Sequence, residues 1–174
     1  LTVQDDDGGS GTAPFTVTVN NIPPVVHAIP AQTVAEGARA SLSLARFTDG
    51  ATDTHTATVN WGDGTPTEAA EVDQVNNTVN GAHVYVENRT TPYPVTVCVK
   101  DQVNAPVCAP TTTVNVTNVA PVVFPQGTQQ AKEGESVVSL SAFFDAGVTD
   151  THTATILWGD ATSSPGAVDQ ARDT

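Results

Sequence analysis

The stretch Tyr93-Pro94-Val95-Thr96-Val97-Cys98-Val99 places a large apolar residue at every second position. Successive side chains of a β-strand point to opposite faces, so this pattern predicts a strand with one buried face and one face in water. Ala57-Thr58-Val59-Asn60-Trp61 and Phe15-Thr16-Val17-Thr18-Val19 alternate in the same way. Pro and Gly interrupt the chain too often for long helices, and no segment keeps a 3.6-residue period. The sequence therefore predicts an all-β protein built of antiparallel sheets.

A repeat of 97 residues organises the chain. The segment Thr54-His55-Thr56-Ala57-Thr58 recurs at 151–155, and Trp61-Gly62-Asp63 recurs as Trp158-Gly159-Asp160. Two further pairs have the same offset: Glu36-Gly37 with Glu133-Gly134, and Pro24-Val25-Val26 with Pro121-Val122-Val123. A period of about 100 residues suits a whole sandwich domain better than a solenoid unit. We therefore predict tandem immunoglobulin-like antiparallel β-sandwich domains.

The repeat also predicts where the domains begin and end. Residues 1–21 correspond to the final hairpin of a preceding repeat, residues 22–118 to one complete domain, and residues 119–174 to the first part of a following domain. The chain is then expected to be a segment of a longer repetitive protein. Proline-rich joints, Ile22-Pro23-Pro24 and Val119-Ala120-Pro121, are short and restrict φ, so neighbouring domains are expected to hold an extended, restrained relation.

One departure of the second copy from the first changes the apolar pattern of a strand. Ser41-Leu42-Ser43-Leu44 becomes Val138-Ser139-Leu140-Ser141, which moves the apolar pattern by one residue. Because such a slip turns every side chain to the other face, we expect a compensating bulge or loop change before Phe47 and Phe144, with these two residues in register.

Composition excludes several classes of partner. The 174 residues carry six Lys and Arg against nineteen Asp and Glu, a formal net charge of −13. A polyanion repels nucleic acid and acidic membrane surfaces. No stretch approaches the roughly 18 apolar residues that a membrane-spanning helix needs, so we expect no membrane insertion in this segment.

The motifs together resemble the polycystic-kidney-disease (PKD) domain of bacterial extracellular proteins. The resemblance rests on Trp61-Gly62-Asp63-Gly64-Thr65, then His83-Val84-Tyr85, then residues 93–101, in the family's order. It implies an immunoglobulin-like sandwich, an extracellular setting, and roles in adhesion or as a spacer beside secreted hydrolases. Ala161 departs from the pattern, because it stands where the first copy has Gly64, and the two cysteines lie outside it.

The aromatic and histidine residues are interpreted as structural. Trp61 and Trp158 could stack on sugar rings, but each lies on the apolar side of its strand, and sandwiches bury such a tryptophan. Tyr93 is expected to form a tyrosine corner, and His83 to pack or hydrogen-bond near Tyr85. The histidines lack metal-ligand spacing, and no nucleophile-elbow motif or apolar carboxylate pair is present, so we predict no catalytic residues and no enzyme.

Three carboxylates are candidate calcium ligands. Asp49 and Asp53 lie in the loop between the second and third strands, and Asp101 opens the loop of the final hairpin. In a sandwich these loops share one end, beside a domain joint, and Ca²⁺ takes six to eight oxygen ligands. Calcium is therefore the one cofactor that the sequence suggests. The alternative is that these carboxylates belong to an acidic loop exposed to solvent.

The two cysteines are expected to form a disulfide. Counting outward from a turn near Val103 places Cys98 opposite Cys108 on the wet face of a hairpin, within bonding range. The alternative is two free thiols. A disulfide would clamp the hairpin and imply an oxidising compartment, hence a secreted or cell-surface protein. Glycosylation sequons begin at Asn76, Asn88 and Asn115, the last of which is expected to face solvent.

Three functions remain open at this point. The leading one is a structural or adhesive repeat that forms a stalk, spacer or fibre at the cell surface. The others are a module that binds carbohydrate or surface proteins, and an accessory domain of a secreted hydrolase. The expected partners are neighbouring repeats of the same protein. An alternative is head-to-tail self-assembly, in which residues 1–21 of one copy complete residues 119–174 of the next.

Overall fold

The structure is a computed structural model that describes residues 1–41, 45–50, 53–124, 126–138 and 140–170. These residues form strands and turns with no α-helix among them, so the all-β prediction is confirmed. Within this part of the chain no helix has the length and apolar content to cross a bilayer. The strands are β1 (Thr2–Gln4), β2 (Ser10–Thr12), β3 (Val25–Val26), β4 (Gln32–Ala35), β5 (Arg39–Ser41), β6 (Ala45–Thr48), β7 (Thr56–Asn60), β8 (Glu68–Asp73), β9 (Thr78–Asn80), β10 (Ala82–Val84), β11 (Tyr93–Lys100), β12 (Val107–Cys108), β13 (Thr112–Thr117), β14 (Val122–Val123), β15 (Phe143–Phe144), β16 (Ala154–Leu157) and β17 (Ser163–Gly166).

One curled sheet carries most of the fold. Its strand order is β3-β6-β9-β8-β7-β11-β13-β4, with β12 also paired to β11. Every pairing is antiparallel except β13 with β4, which is parallel. Strands β5 and β10 form a separate antiparallel pair. The sheet curls upon itself as a sandwich does, so its inner faces can enclose a core.

The core follows the alternation that the sequence shows. Val95, Val97 and Val99 of β11 are fully buried, whereas Pro94 and Lys100 on the other face are exposed. Trp61 is only 1% exposed, which confirms the prediction of a core tryptophan. Each fully buried side chain of this size contributes about 1.5–3 kcal/mol. The apolar face of β11 is therefore the centre of the fold.

Residues 119–170 are packed far less completely. They form two small antiparallel sheets, β14 with β15 and β16 with β17. The prediction that Trp158 is buried like Trp61 is wrong, because Trp158 is 40% exposed. Trp61 is covered by His83, which stacks on its ring, and the strand that precedes it, β7, pairs with β11. No described strand takes the place of β11 beside β16, so the second indole lacks that cover.

The register of the second copy also differs from the prediction. Phe47 packs on His55 with ring centroids 4.6 Å apart, and Phe143, not Phe144, packs on His152 at 4.7 Å. The one-residue slip therefore continues through Phe143 and is absorbed in the longer loop that follows it. Residues 42–44 and Ser139, where a bulge was expected, lie outside the described residues.

The amino-terminal segment contains one hairpin. Strands β1 and β2 pair with Thr2 opposite Thr12. The alternating residues Phe15, Val17 and Val19 are exposed and belong to no strand, contrary to the strand that their pattern predicts. A strand forms only where a neighbour accepts its main-chain hydrogen bonds, and no described strand lies beside them.

Candidate functional site

The three predicted calcium ligands lie together at one end of the large sheet. Asp49 follows β6, Asp53 precedes β7, and Asp101 follows β11. Each offers a carboxylate oxygen, and these oxygens lie within 4.8 Å of one another. The turns that end β6 and β11 thus bring together residues from distant parts of the sequence.

The carboxylate of Asp49 is buried beside a histidine. Its side chain is 1% exposed, and its Oδ2 lies 2.9 Å from His55 Nε2. Gln74 holds His55 from the other side, because its Oε1 accepts the His55 main-chain N–H at 3.0 Å. The second oxygen of Asp49, Oδ1, is buried and has no hydrogen-bond partner among the described residues, and the same is true of Asp53 Oδ2.

Asp101 is tied to both the hairpin and the preceding linker. Its Oδ1 accepts main-chain N–H groups from Val103 at 2.8 Å and Asn104 at 2.5 Å. Its Oδ2 accepts the side-chain amides of Asn104 at 2.6 Å and Asn21 at 2.9 Å. Burial raises the pKa of Asp101, but these hydrogen bonds outweigh it and lower the pKa to about 2. The carboxylate is therefore ionised at neutral pH and anchors the linker through Asn21.

A second acidic cluster was not predicted from the sequence. Carboxylate oxygens of Glu36, Glu87 and Asp150 lie within 4.8 Å of one another. Glu36 is 2% exposed, and both its oxygens accept main-chain N–H groups, from Val119 at 2.6 Å and from Asn88 at 3.0 Å. The one signal in the sequence was the recurrence of Glu36-Gly37 as Glu133-Gly134.

This second cluster forms a joint between residues 22–118 and residues 119–170. Glu87 Oε2 accepts the Thr149 main-chain N–H at 3.0 Å and also its hydroxyl. The main-chain N–H of Val148 donates to Val86 O at 3.3 Å. A Cβ on Gly37 would lie 3.1 Å from that of Ala146, so the two segments touch closely there. The joint therefore combines main-chain and side-chain hydrogen bonds across the boundary.

The aromatic residues of the sequence motifs contact one another in and beside the core. His83 stacks on Trp61 at 5.1 Å, and Asp63 Oδ2 accepts a hydrogen bond from its Nε2 at 2.7 Å. The Tyr85 hydroxyl donates to Trp61 O at 2.9 Å, and burial raises the pKa of Tyr85. Tyr93 donates to Glu87 O at 2.9 Å, which is the expected tyrosine corner. These contacts fix the turn after β7 and leave its polar groups engaged in structure.

The cysteines and the sequon asparagines lie at different places on the sheet. Cys98 and Cys108 face each other across β11 and β12 and form a disulfide, with Cα atoms 3.9 Å apart. Asn76 is exposed, and its side-chain amide donates to Asp73 Oδ2 at 2.7 Å. Asn88 and Asn115 are half-buried. Of the three, Asn76 offers the most open side chain.

The comparison with known families agrees with this geometry. Residues 21–116 match the PKD domain family, which is more than half of the chain. A search of curated proteins finds no match. PKD domains are immunoglobulin-like modules that are typically extracellular and non-catalytic, and the curled sheet from β3 to β13 lies within the matched region apart from its last residue. The chain therefore belongs to the PKD domain family.

Proposed function

We propose that the chain is a non-enzymatic structural repeat of a secreted or cell-surface protein, part of a stalk, spacer or fibre. The observation that carries this proposal is the hydrogen-bonded joint between residues 22–118 and 119–170. Glu36 holds the linker at Val119, and Glu87 holds the next segment at Thr149. A spacer has to transmit direction from one domain to the next, and such contacts oppose the free rotation that a flexible linker permits.

The tandem arrangement is part of this proposal. The 97-residue offset between Trp61 and Trp158 supports it. So do two matched contacts, His55 Nε2 to Asp49 Oδ2 at 2.9 Å and His152 Nε2 to Asp145 Oδ2 at 2.8 Å. The partners are then neighbouring repeats of the same chain. Val17 and Val19 correspond in the repeat to Val114 and Val116, which are buried in β13. The exposed apolar row at 15–19 therefore fits the place that β13 occupies in a complete repeat.

Secretion is supported by the disulfide, because such bonds persist in oxidising compartments. Asn76 is the sequon with the most exposed asparagine and is the candidate for a glycan.

A second candidate function is a carbohydrate- or protein-binding accessory module of a secreted hydrolase. The observation that favours it is the exposed part of Trp158, since aromatic faces in water are typical of sugar-binding surfaces. Binding of an oligosaccharide panel by the chain, lost in Trp158→Ala, would support the accessory module over the spacer.

The joint can be tested in the full chain by NMR residual dipolar couplings. We expect residues 22–118 and 119–170 to share one alignment tensor, and Glu87→Ala to give two different tensors because Thr149 loses its acceptor. Glu71→Ala, an exposed carboxylate on β8, is the matched control and should leave one tensor. Independent tensors in the unmodified chain would overturn the spacer proposal.

A further inference from the structure

Residues 22–118 contain a parallel strand pair whose two counterparts in the repeat are both unpaired. In that domain β13 runs parallel to β4, with Val114 beside Gln32. Residues 17–20 stand 97 positions before the last four residues of β13, and residues 129–132 stand 97 positions after β4. Neither counterpart forms a strand, and both are exposed. The chain therefore carries both members of a second parallel pair without joining them.

Residues 15–20, the donor segment, carry apolar side chains that a complete domain buries. Val17 and Val19 are 69% and 87% exposed. Their counterparts in β13, Val114 and Val116, are both buried. Main-chain groups of a strand also need partners, and among the described residues no strand lies beside this segment. The donor segment therefore lacks an apolar neighbour and a strand to pair with.

Residues 119–170, which include the acceptor segment 129–132, have open core positions. Val123 is 65% exposed, whereas its counterpart Val26 is 7% exposed. Trp158 is likewise far more exposed than Trp61. An unpaired edge beside an exposed apolar face is a template on which an extended segment can add as a strand. The acceptor region thus offers what the donor segment lacks.

The two segments leave the domain at opposite ends, so a second copy is the fitting occupant. Asn21 follows the donor segment and is held by Asp101, just beyond the end of β11. Val119 precedes the acceptor segment and follows β13, whose end lies near the start of β11 because the two strands are antiparallel. The eight residues of β11 span about 25 Å at the rise of a strand. That strand therefore separates the donor and acceptor segments of one copy.

We propose that the donor segment of one copy pairs in parallel with the acceptor segment of a second copy, in the register of β13 with β4. Val17 then lies beside Gln129, and Val19 lies beside Ala131. Because donor and acceptor lie at opposite ends, the contact does not close on itself and joins copies head to tail. This inference rests on the tandem repeat of the proposed function, but not on the rigidity of its joint.

Glu133 supplies a further contact at this interface. In the domain, the Glu36 main-chain N–H donates to Thr117 O at 3.0 Å, and Glu36 Oε1 accepts the Val119 N–H at 2.6 Å. Glu133, which is exposed, is the counterpart of Glu36, and Ile22 is the counterpart of Val119. The carboxylate of Glu133 in the acceptor copy therefore accepts the Ile22 N–H of the donor copy.

The test is analytical ultracentrifugation of the full chain over a range of concentrations. Copies with a net charge of −13 repel one another, so the measurement is made in about 0.5 M sodium chloride. The average mass should rise above the monomer value of 17.9 kDa as the concentration increases. Val17→Asp should abolish this rise. Thr16→Asp, the matched control, adds the same charge where the counterpart Thr113 is exposed, and should leave the rise unchanged.

Mixing two disabled variants tests the head-to-tail direction. Ala131→Asp disables the acceptor segment, since its counterpart Val34 packs against the core. Each variant alone should stay a monomer, whereas an equimolar mixture of Val17→Asp and Ala131→Asp should form a dimer and nothing larger. Both positions are exposed and outside any strand, so at dilutions that keep every chain monomeric the variants should melt as the unmodified chain does. That agreement separates lost pairing from misfolding.

A cysteine pair tests the register. Thr18 and Gln130 are the counterparts of Asn115 and Thr33, which are paired. Thr18→Cys combined with Gln130→Cys should therefore give a ladder of disulfide-linked chains on a non-reducing gel. Thr18→Cys combined with Lys132→Cys, two residues out of register, should not.

Four results would overturn the pairing between copies. They are an unmodified chain that stays monomeric at every concentration, a mixture that fails to dimerise, equal cross-linking of both cysteine pairs, and a cross-link confined to single chains. The spacer function is judged separately by the alignment tensors. A monomeric chain with one shared tensor would therefore refute the pairing and leave the spacer proposal in place.

Discussion

Residues 22–118 and 119–170 carry the same local motifs but bury them to very different degrees. In both, a histidine main-chain N–H donates to a glutamine: His55 to Gln74 at 3.0 Å, and His152 to Gln170 at 3.1 Å. The same histidines lie 2.9 and 2.8 Å from their aspartates. These contacts join residues no more than 19 positions apart, so they form in both segments, whereas the burial of the tryptophans differs because it depends on more distant strands.

The largest expected difference between the segments concerns the tryptophans. Trp61→Ala should lower the free energy of unfolding by about 3–5 kcal/mol, since it empties a fully buried site. Trp158→Ala should cost less than half as much, because a large part of that side chain is already in water. Urea unfolding followed by far-UV circular dichroism measures both. Equal losses would contradict the difference in packing.

The second-largest difference in stability is expected from substitutions of the glycines that follow the tryptophans. Gly62 has φ +77°, and an added Cβ would collide with the Pro94 carbonyl group, whose carbon would be 2.9 Å away. Gly62→Ala should therefore cost about 2–5 kcal/mol from left-handed strain and overpacking. Gly159 has φ +85° but open space around it, so Gly159→Ala should cost only about 1–2 kcal/mol. Thermal unfolding of both variants tests this, and a milder effect at Gly62 would refute the close approach.

The two hairpins offer a third comparison. Thr2 faces Thr12 in the first hairpin, where Cys98 faces Cys108 in the second. Replacing both cysteines by threonine should lower stability by about 2–3 kcal/mol, because a loop of this length then gains freedom in the unfolded chain. Mass measurement of the intact chain should show a gain of about 2 Da on reduction, as expected for one disulfide. An unchanged mass would show that the disulfide is absent and would remove one argument for secretion.

Asp63 and Asp160, in the turns after the two tryptophans, predict a difference in how stability falls at acid pH. Burial raises the pKa of Asp63, but hydrogen bonds from Thr65 and His83 lower it overall. Because the folded pKa lies below the unfolded value of about 3.9, the stabilisation is complete above that pH and is lost as the pH falls towards the folded pKa. Asp63→Asn should therefore flatten the loss of stability that sets in as the pH falls below about 4.

Asp160 provides the matched variant for this acid effect. Hydrogen bonds from Thr162 lower the pKa of Asp160, and among the described residues no histidine adds to this effect as His83 does at Asp63. We expect Asp160→Asn to change the acid limb of a denaturation series less than Asp63→Asn does. A larger change from Asp160→Asn would contradict the role given to His83.

The smallest expected effect is a gain in stability. Ala161 takes φ +69° where the first copy has Gly64 at φ +95°. An alanine in this region is strained, so Ala161→Gly should stabilise its turn by up to about 1 kcal/mol. Amide hydrogen exchange of β16 and β17 is the suitable measurement, since the effect is local. Faster exchange in the variant would show that the turn is unstrained.

Part of the candidate site was accessible from the sequence. Asp49, Asp53 and Asp101 could be grouped because a sandwich places their loops at one end, and the structure brings them within reach of one ion. Asn21, Glu36 and Glu87 could not be grouped in this way. Their contacts cross the boundaries between segments, and no spacing or alternation in the sequence specifies such contacts.

The sequence by itself determined the strand class, the repeat, the tryptophan turn and the opposition of Cys98 to Cys108, because these depend on alternation and on residues near one another along the chain. Only the tertiary structure decided that Phe143 takes the role of Phe47, that residues 15–19 form no strand, and that Trp158 remains 40% exposed. Each of these depends on which strand lies alongside. Burial and strand pairing each depend on two segments at once. The alternation within one segment therefore predicts which face is apolar, but not whether another strand packs against that face.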